Sequence, residues 1–188
     1  GLIDLMGGKE SFAMKLDSLF MLDTIAENTG FVSDVSGFIG QYAHGNEPSH
    51  HVVYLYNYVD QPWKTQELIP EIFERFYKPK PDGLCGNDDC GQMSAWYIFS
   101  SMGFYPVDPI SGEYVLGAPQ MDKISIQLTE DRAFVVEAEN LSRKNKYVKS
   151  VELNGKPVRG LTIKHEDIMS GGHLVFTMTD EPMKRVLK

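Results

Sequence analysis

Two short polar segments carry most of the side chains that could do chemistry. The first reads His44-Gly45-Asn46-Glu47 and the second reads Gly86-Asn87-Asp88-Asp89. Carboxylate and amide oxygens of this kind suit a hard cation such as calcium or magnesium. Carboxylates that face one another could equally cleave a glycosidic bond, because one can activate water while a separate acid protonates the leaving oxygen. The second segment does not match the ligand spacing of an EF-hand.

Each segment lies immediately before a stretch that is predicted to be helical. Pro48 has a φ suited to the first helical position, and residues 52–59 supply an apolar side. Residues 93–104 are apolar almost all round, which predicts a buried helix. Carboxylates before a helix are stabilised by about 0.3–1 kcal/mol each. The alternative is that Asn46 and Asp89 are plain N-caps, worth about 1 kcal/mol each.

Histidines and cysteines flank these segments. His50 and His51 fall in the first turn of a predicted helix, where one is expected to face solvent and the other to pack. Cys85 and Cys90 are the only cysteines and bracket the second segment. Two free thiols are the favoured interpretation and a local disulfide is the next. A structural zinc site is disfavoured because it needs four ligands.

The elements that must position these residues predict an α+β fold. Helices are expected over residues 9–22 and 61–78, besides the two that follow the polar segments, and residues 30–42 read as a connection. After about residue 108 the apolar period changes to two, and Asn154-Gly155 indicates a type I′ hairpin. We therefore predict a helical unit, residues 1–108, and an antiparallel β-sheet or sandwich, residues 109–188. The predicted strands cover residues 113–117, 123–128, 133–138, 147–153, 161–164 and 173–178.

Composition excludes several classes of function. The formal net charge is −8 and the pI is near 5.1, which disfavours binding to nucleic acid or to anionic membranes. The sequence has no run of about 18 apolar residues, so no membrane span is predicted. The first residues lack an initiator Met and a signal-peptide pattern, so we expect the chain to be a piece of a longer protein.

The two polar segments, read with their neighbours, resemble a known enzyme family. Residues 41–51 (QYAHGNEPSHH) and 86–96 (GNDDCGQMSAW) are similar to the C-terminal part of glycoside hydrolase family 92, the exo-acting α-mannosidases. The similarity continues through residues 102–106 (MGFYP). It covers essentially the whole chain but only the last quarter or so of a full enzyme.

This resemblance implies part of an (α/α)6 toroid followed by β-structure. It implies inverting, calcium-assisted hydrolysis of terminal α-linked mannose, with α-1,2 linkages in N-glycans or mannans as the expected substrates. The parent protein would be extracellular or periplasmic, and its partners would be mannose-containing oligosaccharides. The rest of the parent chain, an N-terminal β-sandwich and further helices, would complete the pocket.

Residue by residue, the resemblance makes Asp89 the base that activates water. Asp88 or Asn87 would assist it, although some family members have Asp where this chain has Asn87. Asn46 and Glu47 resemble the calcium-side motif. His44 and His50 would lie near the sugar.

The resemblance also identifies a missing part. The family's general acid is a Glu in a Glu-Gly-Asn-x-Trp type motif, which is absent from this sequence and is expected upstream of it. The chain alone is therefore expected to be inactive, since general acid catalysis contributes about 10²–10⁴-fold.

Two alternatives compete with an enzyme. In one, the β-region is a carbohydrate-binding module, for which Tyr114 and Tyr147 are the candidate exposed aromatics, apart from the core-like Phe134 and Phe176. In the other, the fragment is purely architectural and its polar loops only cap helices.

Overall fold

The chain folds as a mainly helical first half followed by a mainly β second half. The computed structural model describes residues 1–22 and 35–184. Its α-helices are α1 (Leu2–Leu5), α2 (Lys9–Met21), α3 (Pro62–Phe76), α4 (Gln92–Ser101) and α5 (His165–Met169). Its strands are β1 (Phe38–Ile39), β2 (Tyr42–Ala43), β3 (Phe104–Tyr105), β4 (Glu113–Leu116), β5 (Lys123–Thr129), β6 (Arg132–Glu139), β7 (Tyr147–Leu153), β8 (Lys156–Pro157), β9 (Thr162–Lys164) and β10 (Gly172–Thr179).

The first half is built around one aromatic core. Helix α2 buries Phe12, Ala13, Leu16 and Phe20, which recur at the three- and four-residue spacing that predicted this helix. Helix α3 is also confirmed, and it continues through Pro70 without a break. The predicted connection over residues 30–42 lies partly outside the described residues, and its described end forms the β1–β2 hairpin.

The prediction of an α-helix after Pro48 is wrong in the type of helix. Two 3₁₀ helices, Glu47–Ser49 and Val52–Val59, occupy this stretch. Val53, Tyr56 and Val59 are buried at a spacing of three, which is the period of a 3₁₀ helix. Nearly every position in this run is apolar or aromatic, so the sequence does not distinguish a period of 3.0 from one of 3.6.

Helix α4 forms as expected but is less buried than its composition predicted. Met93 and Trp96 are buried, whereas Ser94 is exposed and Ile98 is 56 % exposed. The α4 helix therefore has one face in the aromatic core and another at the surface of the described chain.

The second half contains two sheets. A five-stranded sheet has the order β5-β6-β10-β7-β8, and a three-stranded sheet has the order β3-β4-β9. Strict alternation in β6 and β10 places Phe134, Val136, Leu174 and Phe176 on one buried face. Burial of each such side chain contributes about 1.5–3 kcal/mol.

The predicted antiparallel arrangement is confirmed except for one pair of strands. The β10 strand pairs antiparallel with β7 but parallel with β6. Residues between β6 and β10 form β7, β8, β9 and α5, so the chain returns to β6 by a long crossover of the kind that a parallel pair requires. A sequence pattern of period two does not reveal the direction of pairing.

The two halves adjoin at the end of α4. Phe99 packs against both the helical core and the β core. Strand β3 precedes residue 108 and pairs with β4, which follows it. The domain boundary near residue 108 stays a prediction. None of the helices in residues 1–22 and 35–184 is long and apolar enough to cross a membrane.

The Asn154-Gly155 hairpin between β7 and β8 gives a first test of the fold. Both residues have positive φ, 52° and 73°, as a type I′ turn requires. The Asn154 Oδ1 atom also accepts a hydrogen bond of 2.8 Å from the His173 amide. We expect Asn154→Ala to lower the free energy of unfolding by about 2 kcal/mol, measured by urea titration, because backbone strain and a lost hydrogen bond add.

A matched control separates these two causes. Asn140 has a similar φ of 63°, and Asn140→Ala should therefore impose the backbone strain alone. Equal losses of unfolding free energy in the two variants would contradict a contribution from the bond to His173.

Candidate active site

The two polar segments meet in the structure through backbone contact. We call residues 44–47 the His44 loop and residues 86–91 the Asp89 loop. A Cβ atom built on Gly86 would lie 2.5 Å from the Gly45 carbonyl oxygen and 2.7 Å from the Gly45 Cα. No side chain larger than hydrogen fits there without moving the backbone. The absence of a side chain at Gly86 therefore allows the two loops to be adjacent.

Ser36 joins the two loops from a third segment. Its carbonyl oxygen accepts a hydrogen bond of 2.9 Å from the Gly45 amide, and its hydroxyl donates to the Cys85 carbonyl. Residues just before β1 thus hold the start of both loops.

Asp88 caps the N-terminus of α4, the helix that follows it. Its Oδ1 accepts a hydrogen bond of 2.9 Å from the Ser94 amide, and its Oδ2 accepts one of 2.9 Å from the Ser94 hydroxyl. The N-cap position of α4 is Gly91, which has no side chain to cap with. Asp88, rather than Asp89, therefore supplies the capping bond, and both of its oxygens are engaged.

The Asp89 carboxyl group is exposed and faces Glu47. A hydrogen bond to Glu47 raises the pKa of Asp89, as do desolvation and the nearby charges of Glu47 and Asp88, while His50 opposes the rise. The φ of Asp89 is 45° and that of Cys90 is 57°, and such left-handed backbone costs about 1–2 kcal/mol for a residue other than glycine. The loop thus has a left-handed backbone at Asp89, and it holds the exposed carboxyl group of this residue beside that of Glu47.

Asn46 and Asn87 differ in their surroundings. Asn46 is half-buried and occupies an N-cap position, but its side chain makes no capping hydrogen bond. The amide oxygen of Asn46 is thus not used by the 3₁₀ helix. Asn87 is exposed. The catalytic role assigned to Asn87 stays a prediction.

His50 packs inside the protein and His51 is exposed, as the sequence predicted for this pair. The His50 Nε2–H donates to the His44 carbonyl at 3.0 Å, and its Nδ1 accepts from the Gln92 amide at 3.3 Å. Burial lowers the pKa of His50, so the ring is held neutral. Contact of His50 with a substrate stays a prediction.

His44 is fully buried among aromatic rings. Its Nδ1 and Nε2 each lie 2.8 Å from a tyrosine hydroxyl, that of Tyr42 and that of Tyr77 respectively. Burial, and to a lesser degree the proximity of His50, lowers the pKa of His44 to about 3. Both ring nitrogens are thus occupied within the protein. The prediction that His44 contacts the sugar is untested by this arrangement.

Both cysteines are free thiols, as the sequence favoured. Cys85 is half-buried, and burial raises the pKa of its thiol to about 11. Cys90 is exposed.

The oxygen donors of this site are of the kind that calcium prefers, but they are fewer than calcium takes. Asn46, Glu47 and Asp89 offer hard oxygen donors, which calcium prefers. Calcium takes about six to eight oxygens. Within residues 1–22 and 35–184, no three His, Cys, Asp or Glu side chains converge as a metal centre. The described residues thus offer part of a calcium shell.

Several residues of the site were missed by sequence reasoning. Gln92 bridges His50 and the Tyr105 hydroxyl, and Ser94 binds Asp88. Tyr42 lies two residues before His44 and could have been found from that proximity. Tyr77 lies 33 residues from His44, and no local signal in the sequence links the two.

The pair formed by Glu47 and Asp89 predicts a measurable pKa change. In calcium-free buffer, Glu47→Gln should lower the pKa of Asp89, because an amide donates to the ionised carboxylate instead of competing for a proton. Carboxyl ¹³C NMR titration would measure the shift. Glu113→Gln, at an exposed position in β4, should leave Asp89 unchanged.

The same pair predicts how stability depends on pH. A raised pKa means that the stability contributed by Asp89 is present below its unfolded value and is lost as pH rises through the folded value. The gain in unfolding free energy from Glu47→Gln should therefore be larger at pH 7 than at pH 3. An equal effect at both values would contradict the contact.

Comparison with known proteins places the chain in a family. Residues 1–180 match the family model described as the glycosyl hydrolase family 92 catalytic domain. A curated relative from Arthroderma benhamiae, an uncharacterized secreted glycosidase, is 28 % identical over 183 residues. The match covers 96 % of this chain and 21 % of that relative.

Solved structures give the same result. The family 92 α-mannosidase of Bacteroides thetaiotaomicron in complex with mannoimidazole is 44 % identical, with a TM-score of 0.89, over 96 % of this chain and 24 % of that one. An inverting family 92 mannosidase from the same organism is 38 % identical, with a TM-score of 0.83, over 100 % of this chain and 26 % of that one. The chain thus spans about a quarter of the length of these enzymes, and it belongs to glycoside hydrolase family 92.

Proposed function

We propose that this chain is the base-bearing part of a glycosidase that removes terminal α-linked mannose with inversion, α-1,2 linkages being the expected substrates. The observation that carries the proposal is the exposed Asp89 carboxyl group, held against Glu47 at the junction of two loops. Support comes from family membership and from the two similar bacterial enzymes, which are described as an α-mannosidase and an inverting mannosidase.

Asp89 is the proposed base. An inverting enzyme needs a carboxylate that takes a proton from water on the face of the sugar opposite the leaving group. Asp88 already accepts two hydrogen bonds from Ser94, so it is better suited to fix the loop than to take a proton. The raised pKa of Asp89 makes its carboxylate a stronger base than an ordinary Asp.

The proposed general acid comes from outside this chain. Protonation of the leaving oxygen requires a second carboxylic acid about 6.5–9.5 Å from the base. The described acidic neighbours of Asp89 are Glu47 and Asp88, which belong to the two loops that meet at Asp89. We therefore propose that the rest of the protein supplies the acid, and that this chain alone does not hydrolyse mannosides.

Calcium is proposed as the cofactor of the whole enzyme. Asn46 and Glu47 would contribute oxygens to its shell, and other ligands would come from water or from the rest of the protein. When bound, calcium would supply positive charge that helps to orient and distort the sugar ring. With Glu47 engaged by the cation, Asp89 would be left to act alone on the water.

The remaining expectations concern the whole protein. An (α/α)6 toroid would present the His44 and Asp89 loops at one end, with His44 and His50 near the sugar. A location outside the cell is consistent with the secreted fungal relative.

The competing functions find less support. Tyr147 is only 7 % exposed, Phe134 and Phe176 are fully buried, and Tyr114 is half-buried. The described part of residues 109–184 therefore offers no flat face built from these aromatics for a carbohydrate-binding module. A purely architectural role accounts for Asp88 but not for Asp89, whose carboxyl group faces Glu47 instead of a helix end.

Replacement of the base gives the most direct test. In the full-length protein, Asp89→Asn should reduce release of mannose from α-1,2-mannobiose by about 10²–10⁴-fold, because water is no longer activated. Proton NMR of the unsubstituted enzyme should show the β-anomer of mannose first, since inversion is expected. Asp82→Asn, in the exposed turn before the loop, is the control. If Asp89→Asn released mannose at a rate comparable to that of the unsubstituted enzyme, Asp89 would be excluded as the base.

The chain alone provides a second test. The purified 188-residue chain should release no mannose from α-1,2-mannobiose, because it lacks the proposed acid. Release of mannose by this chain, lost again in Asp89→Asn, would show that the acid lies within it.

Calcium binding can be tested without activity. Added calcium should raise the melting temperature of the full-length protein, because a ligand that binds only the folded state stabilises that state, by about 2.7 kcal/mol at 100 times the Kd. Glu47→Gln should abolish the rise and Glu113→Gln should retain it. An equal rise in both variants would place the calcium elsewhere.

A further inference from the structure

One half-buried tyrosine, Tyr77, contacts residues of both loops' surroundings. Tyr77 immediately follows α3 and its ring is stacked parallel to Trp96, with 5.9 Å between centroids. The Tyr77 ring also lies edge-on to His44, at 5.5 Å. The Trp96 Nε1–H donates to the His50 carbonyl at 3.1 Å, so this aromatic cluster reaches both histidines.

The order of protons through Tyr77 follows from its partners. The Tyr77 hydroxyl lies 3.1 Å from the Met93 carbonyl oxygen, which only accepts, so Tyr77 donates there its single hydrogen. The His44 Nε2 must then carry the hydrogen of its 2.8 Å bond to Tyr77. The Tyr42 hydroxyl donates to the remaining His44 Nδ1. A single neutral tautomer of His44, with the hydrogen on Nε2, is thus compatible with all three of these hydrogen bonds.

Tyr77 also holds both ends of the Asp89 loop. Its backbone pairs with Leu84, two residues before Gly86, as an isolated antiparallel bridge. Its hydroxyl binds the Met93 carbonyl, two residues after Gly91. Through the same oxygen it binds His44, which begins the other loop. A single residue therefore connects the two loops: its backbone pairs with Leu84, shortly before the Asp89 loop, and its hydroxyl binds Met93 and His44.

We propose that Tyr77 is a positioning residue for the hydrolysis, whose hydroxyl fixes the Asp89 loop relative to the His44 loop. This inference rests on the proposed function, because it is Asp89 that the hydroxyl keeps in place. The ring of Tyr77 provides packing, and the oxygen provides the alignment. The two contributions are separable, since phenylalanine retains the ring alone.

Tyr77→Phe tests the role of the oxygen, and Tyr54→Phe is its matched control. The Tyr54 hydroxyl is also buried, in a hydrogen bond of 2.8 Å to Ser100 within the same core, but it touches neither loop. Tyr77→Phe should increase the hydrogen-exchange rates of the Ser94 and Gly45 amides at least about tenfold, relative to the rate of the Phe176 amide in β10. Tyr54→Phe should leave that ratio unchanged.

Kinetics of the full-length protein separate positioning from stability. Tyr77→Phe should lower kcat by about tenfold with KM nearly constant, because a displaced base affects the reaction rather than ground-state binding. Tyr54→Phe should leave kcat per folded molecule unchanged. Faster loop exchange with an unchanged kcat would overturn the positioning role.

A measurement on the unsubstituted chain keeps the proposal testable if Tyr77→Phe does not fold. In ¹⁵N NMR of the imidazole rings, Nε2 of His44 should carry the proton and Nδ1 should not. A protonated Nδ1 would overturn the proposed order of hydrogen bonds. The exchange and NMR results do not require turnover, so they distinguish a failure of this proposal from a failure of the mannosidase assignment.

Discussion

The contact between the backbones at Gly45 and Gly86 is the constraint on which the site depends. A side chain on Gly86 would collide with the Gly45 backbone, so the glycine at position 86 lets the two polar loops lie directly against each other. The consequence is electrostatic, because Glu47 and Asp89 are brought into hydrogen-bonding contact and Asp88 adds a third acidic group. The contact with Glu47 raises the pKa of Asp89, which links the geometry of the loops to acid–base chemistry.

A buried polar network holds that contact in place. An unsatisfied polar group inside a protein costs about 1–3 kcal/mol, so a histidine buried among aromatic rings must find partners for both nitrogens. His44 finds them in two tyrosine hydroxyls. The described buried side-chain atoms without a partner are Asn57 Oδ1 and Gln61 Oε1, and neither belongs to this network. Burial, with a smaller contribution from His50, lowers the pKa of His44 to about 3, and the ring is therefore neutral in this network.

The β half supports the site from a distance. Gln66 of α3 accepts a buried hydrogen bond of 3.1 Å from the Val148 amide of β7, and Glu67 accepts one from the Tyr147 hydroxyl. These bonds fix α3 against the five-stranded sheet, and Tyr77 immediately follows α3. The sheet thus contacts the helix that leads to Tyr77, and it supplies none of the proposed catalytic side chains.

The sequence by itself determined the elements with a strong local signal. The spacing of Phe12, Leu16 and Phe20 predicted α2, and Asn154-Gly155 predicted its turn, because both patterns depend on neighbours along the chain. The two polar segments, each before a helical stretch, identified the candidate site and the resemblance to family 92. The comparisons then confirmed that family.

Only the tertiary structure decided how these parts meet. It gave the parallel pairing of β10 with β6, the 3₁₀ geometry of Val52–Val59, and the exposed face of α4. It also divided Asp88 from Asp89, which are equivalent in sequence but bind Ser94 and Glu47 respectively. The strand pairing, the exposed face of α4 and the contact of Asp89 with Glu47 depend on residues far apart in the chain, and no local pattern encodes such contacts.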